Sequence, residues 1–483
     1  MRRLRQLADR TPAGRERYVD LLRAVAITMV VAGHWGVSVV DRDAAGRPTG
    51  HSALADLPWA YWLTWPAQVL PVFFLVGGFA NAASLTARRA RGADATGWLL
   101  DRSARLVPPT TALLTVLALG AAGASLWGVD PTRVRQVVWF ATIPLWFLVP
   151  YFAVVALTPP MLALHRRFGL AVPVTLVALV ALGDLGRLTG PALLAAGNHL
   201  AGWLAVHQVG FAWYDARARP AGARPLPTGR RAAVALLAGG LGALMLLTTL
   251  GPYPVAMLHV PGERLENTAP PSLALLALAT AQLGLILLLR DPAERWLRRP
   301  RPWQAVIAVN SVVLTVFLWH LTAALLLVGL LDAVGLLPTP AAGTAAWYLW
   351  RVPWLLLLAV VLAGLVAVFG PVEARAGRRR PAAGRPTTGP ATGPVGPAPP
   401  GTGSPPPAPR VAEPSPPAPP VAGRARSALV VAGYVAVIAG LLVNTLTPQR
   451  APAPLGLPVA ALVAYLAGAG LLRLLRSGWG HRG

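Results

Sequence analysis

Apolar runs long enough to cross a bilayer recur along almost the whole chain, separated by short polar stretches. A hydrocarbon core about 30 Å thick takes roughly 20 residues of helix. Ten runs up to residue 370 reach that length: 19–40, 64–86, 106–128, 137–157, 170–188, 191–213, 232–251, 271–290, 303–331 and 345–370. The pattern changes at 371–427, where RRRPAAGRPTTGPATGPVGPAPPGTGSPPPAPR has too few apolar residues for a core and too many prolines for a helix. A disordered linker is expected there. Two further apolar runs, 428–446 and 455–476, joined by TPQRAPAP, read as an appended helical hairpin. The expected fold is all-α: a polytopic transmembrane bundle over 1–370, the linker over 371–427, and a C-terminal two-helix hairpin over 428–483.

Composition narrows the class. With 55% hydrophobic and 13% charged residues and a mean hydropathy of +0.55, the 483-residue chain has too little polar surface for a soluble domain. The formal net charge is +25 and the basic residues are all arginine. They sit between apolar runs, which points to orientation and anionic headgroups and away from nucleic acid. Arg2, Arg3, Arg5, Arg15 and Arg17, then Arg88, Arg89, Arg91, Arg102 and Arg105, then Arg166 and Arg167, Arg217 to Arg231, and Arg295 to Arg301 fall in alternate segments. The segments between them hold Asp41, Asp43, Asp56, Asp130, Asp184, Glu263, Glu266 and Asp332. The positive-inside rule therefore expects a multi-pass cell-membrane protein with both termini cytoplasmic. Cysteine is absent, which excludes disulfides, thiolate nucleophiles and Cys-based metal sites. The first apolar stretch is too long for a signal-peptide core and lacks a small-residue cleavage site.

Two constellations carry chemistry. In RYVDLLRAVAITMVVAGHW, residues 17–35, Arg23 and His34 are eleven steps apart. At about 100° and 1.5 Å per step they share a helix face, His34 lying about 16 Å further along, near mid-membrane. An ionisable residue inside an apolar run loses insertion energy and so points to function. Histidine can be neutral there and still move a proton; a neutral His that merely bridges helices is the other reading. Asp20 is placed to pair with Arg23 but lies about 21 Å from His34 along the helix. In DRSARLVPP, residues 101–109, Arg102 and Arg105 can form a fork for phosphate, or serve only as topology signals. Weaker signals are Gly77, Gly78 and Asn81 in LPVFFLVGGFANA, Trp146 in PLWFLVPYF, and Trp319 and His320 in VFLWHLTAALL, of which Trp146 and His320 are candidate substrate-binding residues. Glu263, Glu266 and Asn267, in the outward segment 253–276, offer acceptors for a polyhydroxylated substrate, with Asn267 or Thr268 as a plain helix cap as the alternative.

In this order the motifs resemble the acyltransferase type 3 family, integral membrane enzymes that move acyl groups from acyl-CoA to hydroxyls of carbohydrates, lipids or secondary metabolites. The resemblance covers about residues 15–370 and rests on the first-span Arg and His, PVFFLVGGFANA, DRSARLVPP, LWFL and FLWHL. It implies a catalytic His34 and essential or donor-binding roles for Arg23, Arg102 and Arg105. The co-substrate would be acyl-CoA, acetyl-CoA above all, with no bound cofactor or metal. His34 would act as general base or as a nucleophile that carries the acyl group. Family members often read Ser-Gly-Phe where this chain has Gly77-Gly78-Phe79, so a serine hydroxyl is missing here. A transporter or flippase is the competing reading, and the ten spans are expected to contain essentially no acids to couple an ion.

Overall fold

The computed structural model describes residues 15–190, 192–263, 265–376, 420–451 and 453–477. Among the described residues it is 77% helical in 14 helices, and eleven helical segments are long and apolar enough to cross a membrane. The first helix, α1 (Arg17–Val37), leads into a hairpin in which β1 (Ser38–Arg42) pairs antiparallel with β2 (Pro48–Ser52). There follow α2 (Leu70–Arg89), α3 (Ala95–Leu126), α4 (Pro131–Thr142), α5 (Leu145–Phe168), α6 (Ala171–Thr189) and α7 (Asn198–Ala218). The second half has α8 (Arg230–Thr249), α9 (Leu273–Leu297), α10 (Pro300–Asn310), α11 (Val313–Ala333) and α12 (Ala345–Ala376), then α13 (Pro420–Leu446) and α14 (Val459–Arg476). Most of the 371–427 stretch, along with Arg2, Arg3 and Arg5, lies outside the described residues.

Several boundaries differ from the hydropathy reading, each for a local reason. The run 19–40 is helical only to Val37, because the β-branched Val39 and Val40 enter β1. The run 106–128 is extended backwards to Ala95, where the Asp94 carboxylate accepts from the Gly97 amide at 3.1 Å. Arg102 and Arg105 therefore sit inside a helix. The run 303–331 breaks at Ser311 and Val312 into α10 and α11. The first amides of α11 are satisfied from another helix: Glu373 of α12 accepts from the backbone of Leu314 at 3.1 Å and Thr315 at 2.7 Å.

At the centre of the bundle α7 buries Trp203, His207, Gln208, Phe211, Trp213 and Asp215. It is not among the eleven apolar segments because of these polar side chains. It crosses α2 backbone to backbone, since a Cβ on Gly78 would collide with the His207 carbonyl and one on Gly210 with the Leu75 carbonyl.

Buried acids correct the expectation of acid-free spans. Asp184 in α6 and Asp215 in α7 are 1% and 0% exposed. Both are paired. Asp184 accepts from Asn198 at 3.0 Å, the Tyr253 hydroxyl at 2.9 Å and the Leu273 amide at 2.8 Å, and pairs with Arg187 at 3.3 Å. Burial, with Asp184 beside it, pushes the Tyr253 hydroxyl well above its ordinary value, which keeps it a donor. Asp215 joins Arg166 at 3.1 Å, His165 at 3.3 Å and the Arg224 amide at 2.6 Å. Such paired carboxylates tie loops to helices.

The C-terminal pair packs on the core. Tyr434 of α13 donates to the Leu99 carbonyl at 2.8 Å, and Tyr465 of α14 donates to the Val107 carbonyl at 3.1 Å. In return Arg135 of α4 donates to the carbonyls of Gly456 at 2.9 Å, Thr447 at 3.0 Å and Pro448 at 3.2 Å in the turn between them.

Candidate functional site

His34 occupies the last turn of α1, three residues before its end, and so lies beyond the mid-span depth expected from the run 19–40. Nine helical steps, about 900°, place it opposite Val25, which is 48% exposed on the outer face with Thr28 and Ala32. His34 is nevertheless exposed, while Ile27, seven residues earlier on the same inward face, is 1% exposed. The imidazole therefore borders an opening on the inner side of α1.

Its partner is His320 of α11, fully buried and stacked on it with ring centroids 5.0 Å apart. His34 Nδ1 and His320 Nε2 are 2.7 Å apart, and His320 Nδ1 is 2.5 Å from the Phe317 carbonyl oxygen. A carbonyl only accepts, so His320 Nδ1 carries the hydrogen. Neutral His320 then offers a lone pair at Nε2, and the 2.7 Å contact requires His34 Nδ1–H to donate to it. The basic nitrogen of His34 is consequently Nε2, on the ring edge away from His320. Trp35, the next residue of α1, donates from Nε1 to the His320 carbonyl at 3.0 Å, and Trp354 of α12 donates to the Trp35 carbonyl at 3.2 Å. Neighbouring residues of α1 thus hold His320 by its ring and by its backbone.

The arginines gather toward the other end of α1. Arg23 pairs with Asp20 at 3.2 Å, and Asp20 also binds Arg15 at 2.6 Å. Arg102 donates to Ser84 Oγ at 2.5 Å and to the Ala80 carbonyl at 3.2 Å, and its guanidinium lies 5.1 Å from the centre of the Trp98 ring. Arg105, one turn on, is exposed. Arg23 and Arg105 lie near enough for their charges to act on Arg102. The structure thus brings Arg23, Arg102 and Arg105 into one basic region, apart from the two histidines.

Rings bridge the two regions. Tyr151 stacks on Phe147 at 5.6 Å, Phe147 meets Phe317 at 5.4 Å, and Phe317 lies 6.0 Å from His320. Trp146 touches the edge of Phe147 at 6.4 Å and belongs to this wall. On its far side, the Asn81 amide donates to His207 Nε2 at 3.1 Å. Gly77 faces both sides of the junction: an added Cβ would lie 3.7 Å from Tyr151 and 3.8 Å from His207, ordinary contact distances. His207 carried no sequence signal, because a single histidine in a helix announces a partner only once the facing helix is known.

The outward segment is divided. Glu263 is exposed, and Glu266 pairs with His259. Asn267, 1% exposed, donates to the carbonyls of Pro254 and Ala256 at 2.9 Å each and accepts from Ser272 at 2.6 Å. Its amide is committed to bracing the loop. The cap of α9 is Ser272, neither Asn267 nor Thr268. Gln68 binds Thr268 at 2.6 Å just before α2 begins, whereas Ser84 near the end of α2 holds Arg102. The loop and the arginines therefore lie at opposite ends of α2, about 21 Å apart along it from Leu70 to Ser84. Val37 packs with Ala256 and Val260, which places the His34 end of α1 on the loop side.

A family model described as an acyltransferase domain matches residues 16–372, a span that contains every residue of this site and stops short of α13 and α14. No curated protein and no solved structure matches the chain.

Proposed function

The chain belongs to the acyltransferase type 3 family, and on that premise we propose that it moves an acyl group from acyl-CoA, acetyl-CoA as the simplest donor, to a hydroxyl of a carbohydrate, glycolipid or secondary metabolite. The observation that carries the chemistry is the hydrogen-bond order from His34 through His320 to the Phe317 carbonyl, which leaves a lone pair at His34 Nε2 beside an opening. His34 Nε2 takes the proton of the acceptor hydroxyl as its oxygen attacks the thioester carbonyl. The tetrahedral intermediate collapses with expulsion of the CoA thiolate, and the proton on Nε2 passes to that sulfur. Throughout, Nδ1–H stays bonded to His320, which holds the ring and steadies its transient positive charge. General base catalysis of this kind contributes roughly a hundred- to ten-thousandfold.

Arg102, Arg105 and Arg23 form the docking rim for the donor phosphates, which guanidinium groups bind in bidentate fashion. By the positive-inside rule that rim faces the cytoplasm, where acyl-CoA is made. The acyl arm runs from the rim toward His34, past Tyr151 and Phe147. Exposed Glu263, with Glu266, meets the acceptor from the opposite side, so the acyl group crosses the membrane. Asn267 supports this loop from beneath, and Trp146 and His320 support the wall and the base without touching acceptor.

The test is release of CoA from acetyl-CoA by purified protein with a hydroxyl acceptor. His34→Ala is expected to abolish release while the protein keeps its size-exclusion profile. His320→Ala should lower turnover by roughly ten- to a hundredfold with unchanged CoA binding, since it removes the group that orients the base. Full turnover by His34→Ala would overturn the assignment.

A further inference from the structure

The segment that carries Arg102 and Arg105 has a built-in weakness. Pro108 and Pro109 lie inside α3 and have no N–H to donate. The carbonyls of Ala104 and Arg105, four residues earlier, therefore have no helical partner, directly beside the two arginines. A helix interrupted in this way needs support from a neighbour to keep its side chains in place.

That support comes from outside the family-matched region. Tyr434 of α13, 1% exposed, donates to the Leu99 carbonyl at 2.8 Å, in the turn just before Arg102. Tyr465 of α14, also 1% exposed, donates to the Val107 carbonyl at 3.1 Å and lies 2.9 Å from Thr111 Oγ1, in the turn just after Arg105. The two hydroxyls, from two different helices, bracket the unbonded stretch. Tyr434 also packs on Phe152 of α5 at 6.0 Å and is near enough to Arg102 for the two to interact electrostatically.

We propose that the C-terminal hairpin is a positioning element for the arginine segment: Tyr434 and Tyr465 fix α3 on either side of its proline interruption and so hold Arg102 and Arg105 in place for the donor. The effect on the donor rests on the acyl-CoA reading above. The bracing itself does not.

Both parts can be read separately because the chain has no cysteine and accepts a single label. In the full-length protein, a spin label at Arg105→Cys should become more mobile when Tyr434→Phe and Tyr465→Phe are combined, while a label at Ser125→Cys, at the other end of α3, should not change. In unlabelled protein that retains Arg105, the same pair should weaken CoA binding about three- to tenfold, the scale of lost hydrogen bonds, and leave the apparent constant for the hydroxyl acceptor unchanged. Equal label mobility with and without the tyrosine hydroxyls would overturn the bracing. Greater mobility with unchanged CoA affinity would overturn the positioning role. If the unmodified protein binds no CoA, the donor reading fails, and the label still decides the bracing.

Discussion

At the scale of single residues, Arg102 and Arg105 divide a task that their spacing made look shared. Arg102 is tied to Ser84 and the Ala80 carbonyl, whereas Arg105 stands exposed. Arg105→Ala is therefore expected to weaken CoA binding about tenfold, as loss of a charge-assisted contact would, with an unchanged melting temperature. Arg102→Ala should weaken binding and also lower the melting temperature, because it removes the bonds to Ser84 and the Ala80 carbonyl and leaves only Trp98 Nε1, at 3.1 Å from Ser84 Oγ, to tie that side chain to α3. Calorimetry and thermal melts on the two variants separate these outcomes; identical behaviour would count against the division. Arg23, His34 and the two arginines could be picked from the sequence because an ionisable residue beside or within an apolar run stands out against its surroundings. The role of His320 could not be read that way. Its partner is 286 positions away, and only the approach of α11 to α1 brings the two rings together. The commitment of Asn267 to its own loop was hidden for the same reason.

Among elements, the helices were legible as apolar runs, but their breaks and staggers were not. Hydropathy averages across Ser311 and Val312, so the separation of α10 from α11 left no trace in it. That break matters, since Asn310, the last residue of α10, donates to the Asp20 carbonyl at 2.9 Å and starts α11 beside the Arg23 end of α1. The adjacent glycines of α2 are a second case: both read as close-packing residues, yet only Gly78 meets backbone, while Gly77 has room for a side chain. Gly77→Ala should therefore fold and retain activity, and Gly78→Ala should force α2 from α7, with a loss of several degrees in melting temperature or of folded protein altogether. Equal tolerance of the two changes in a detergent melt would contradict this crossing.

For the whole molecule, eleven of the twelve apolar runs, the two of the appended hairpin among them, are helices long and apolar enough to cross a membrane, whereas the hairpin's attachment was not legible, since Tyr434, Tyr465 and Arg135 find backbone carbonyls that no sequence pattern marks. The buried Asp184 and Asp215 were likewise concealed, because a paired carboxylate inside a bundle looks in sequence like one in a loop. One dimension links these levels. The 32 residues of α3 span about 48 Å, against a hydrocarbon slab of about 30 Å. The stretch 106–126 alone would fill that slab, which leaves Arg102 and Arg105 at its surface. A thicker bilayer would draw their guanidinium groups toward hydrocarbon and a thinner one would lift them clear, and tilt absorbs only part of either mismatch. Turnover in vesicles of defined lipid chain length is therefore expected to peak near the matching thickness and to fall on both sides, and a flat profile would argue against it. On that account the lipid composition of its host membrane acts as a gauge, setting how far into the water this protein holds out its arginines.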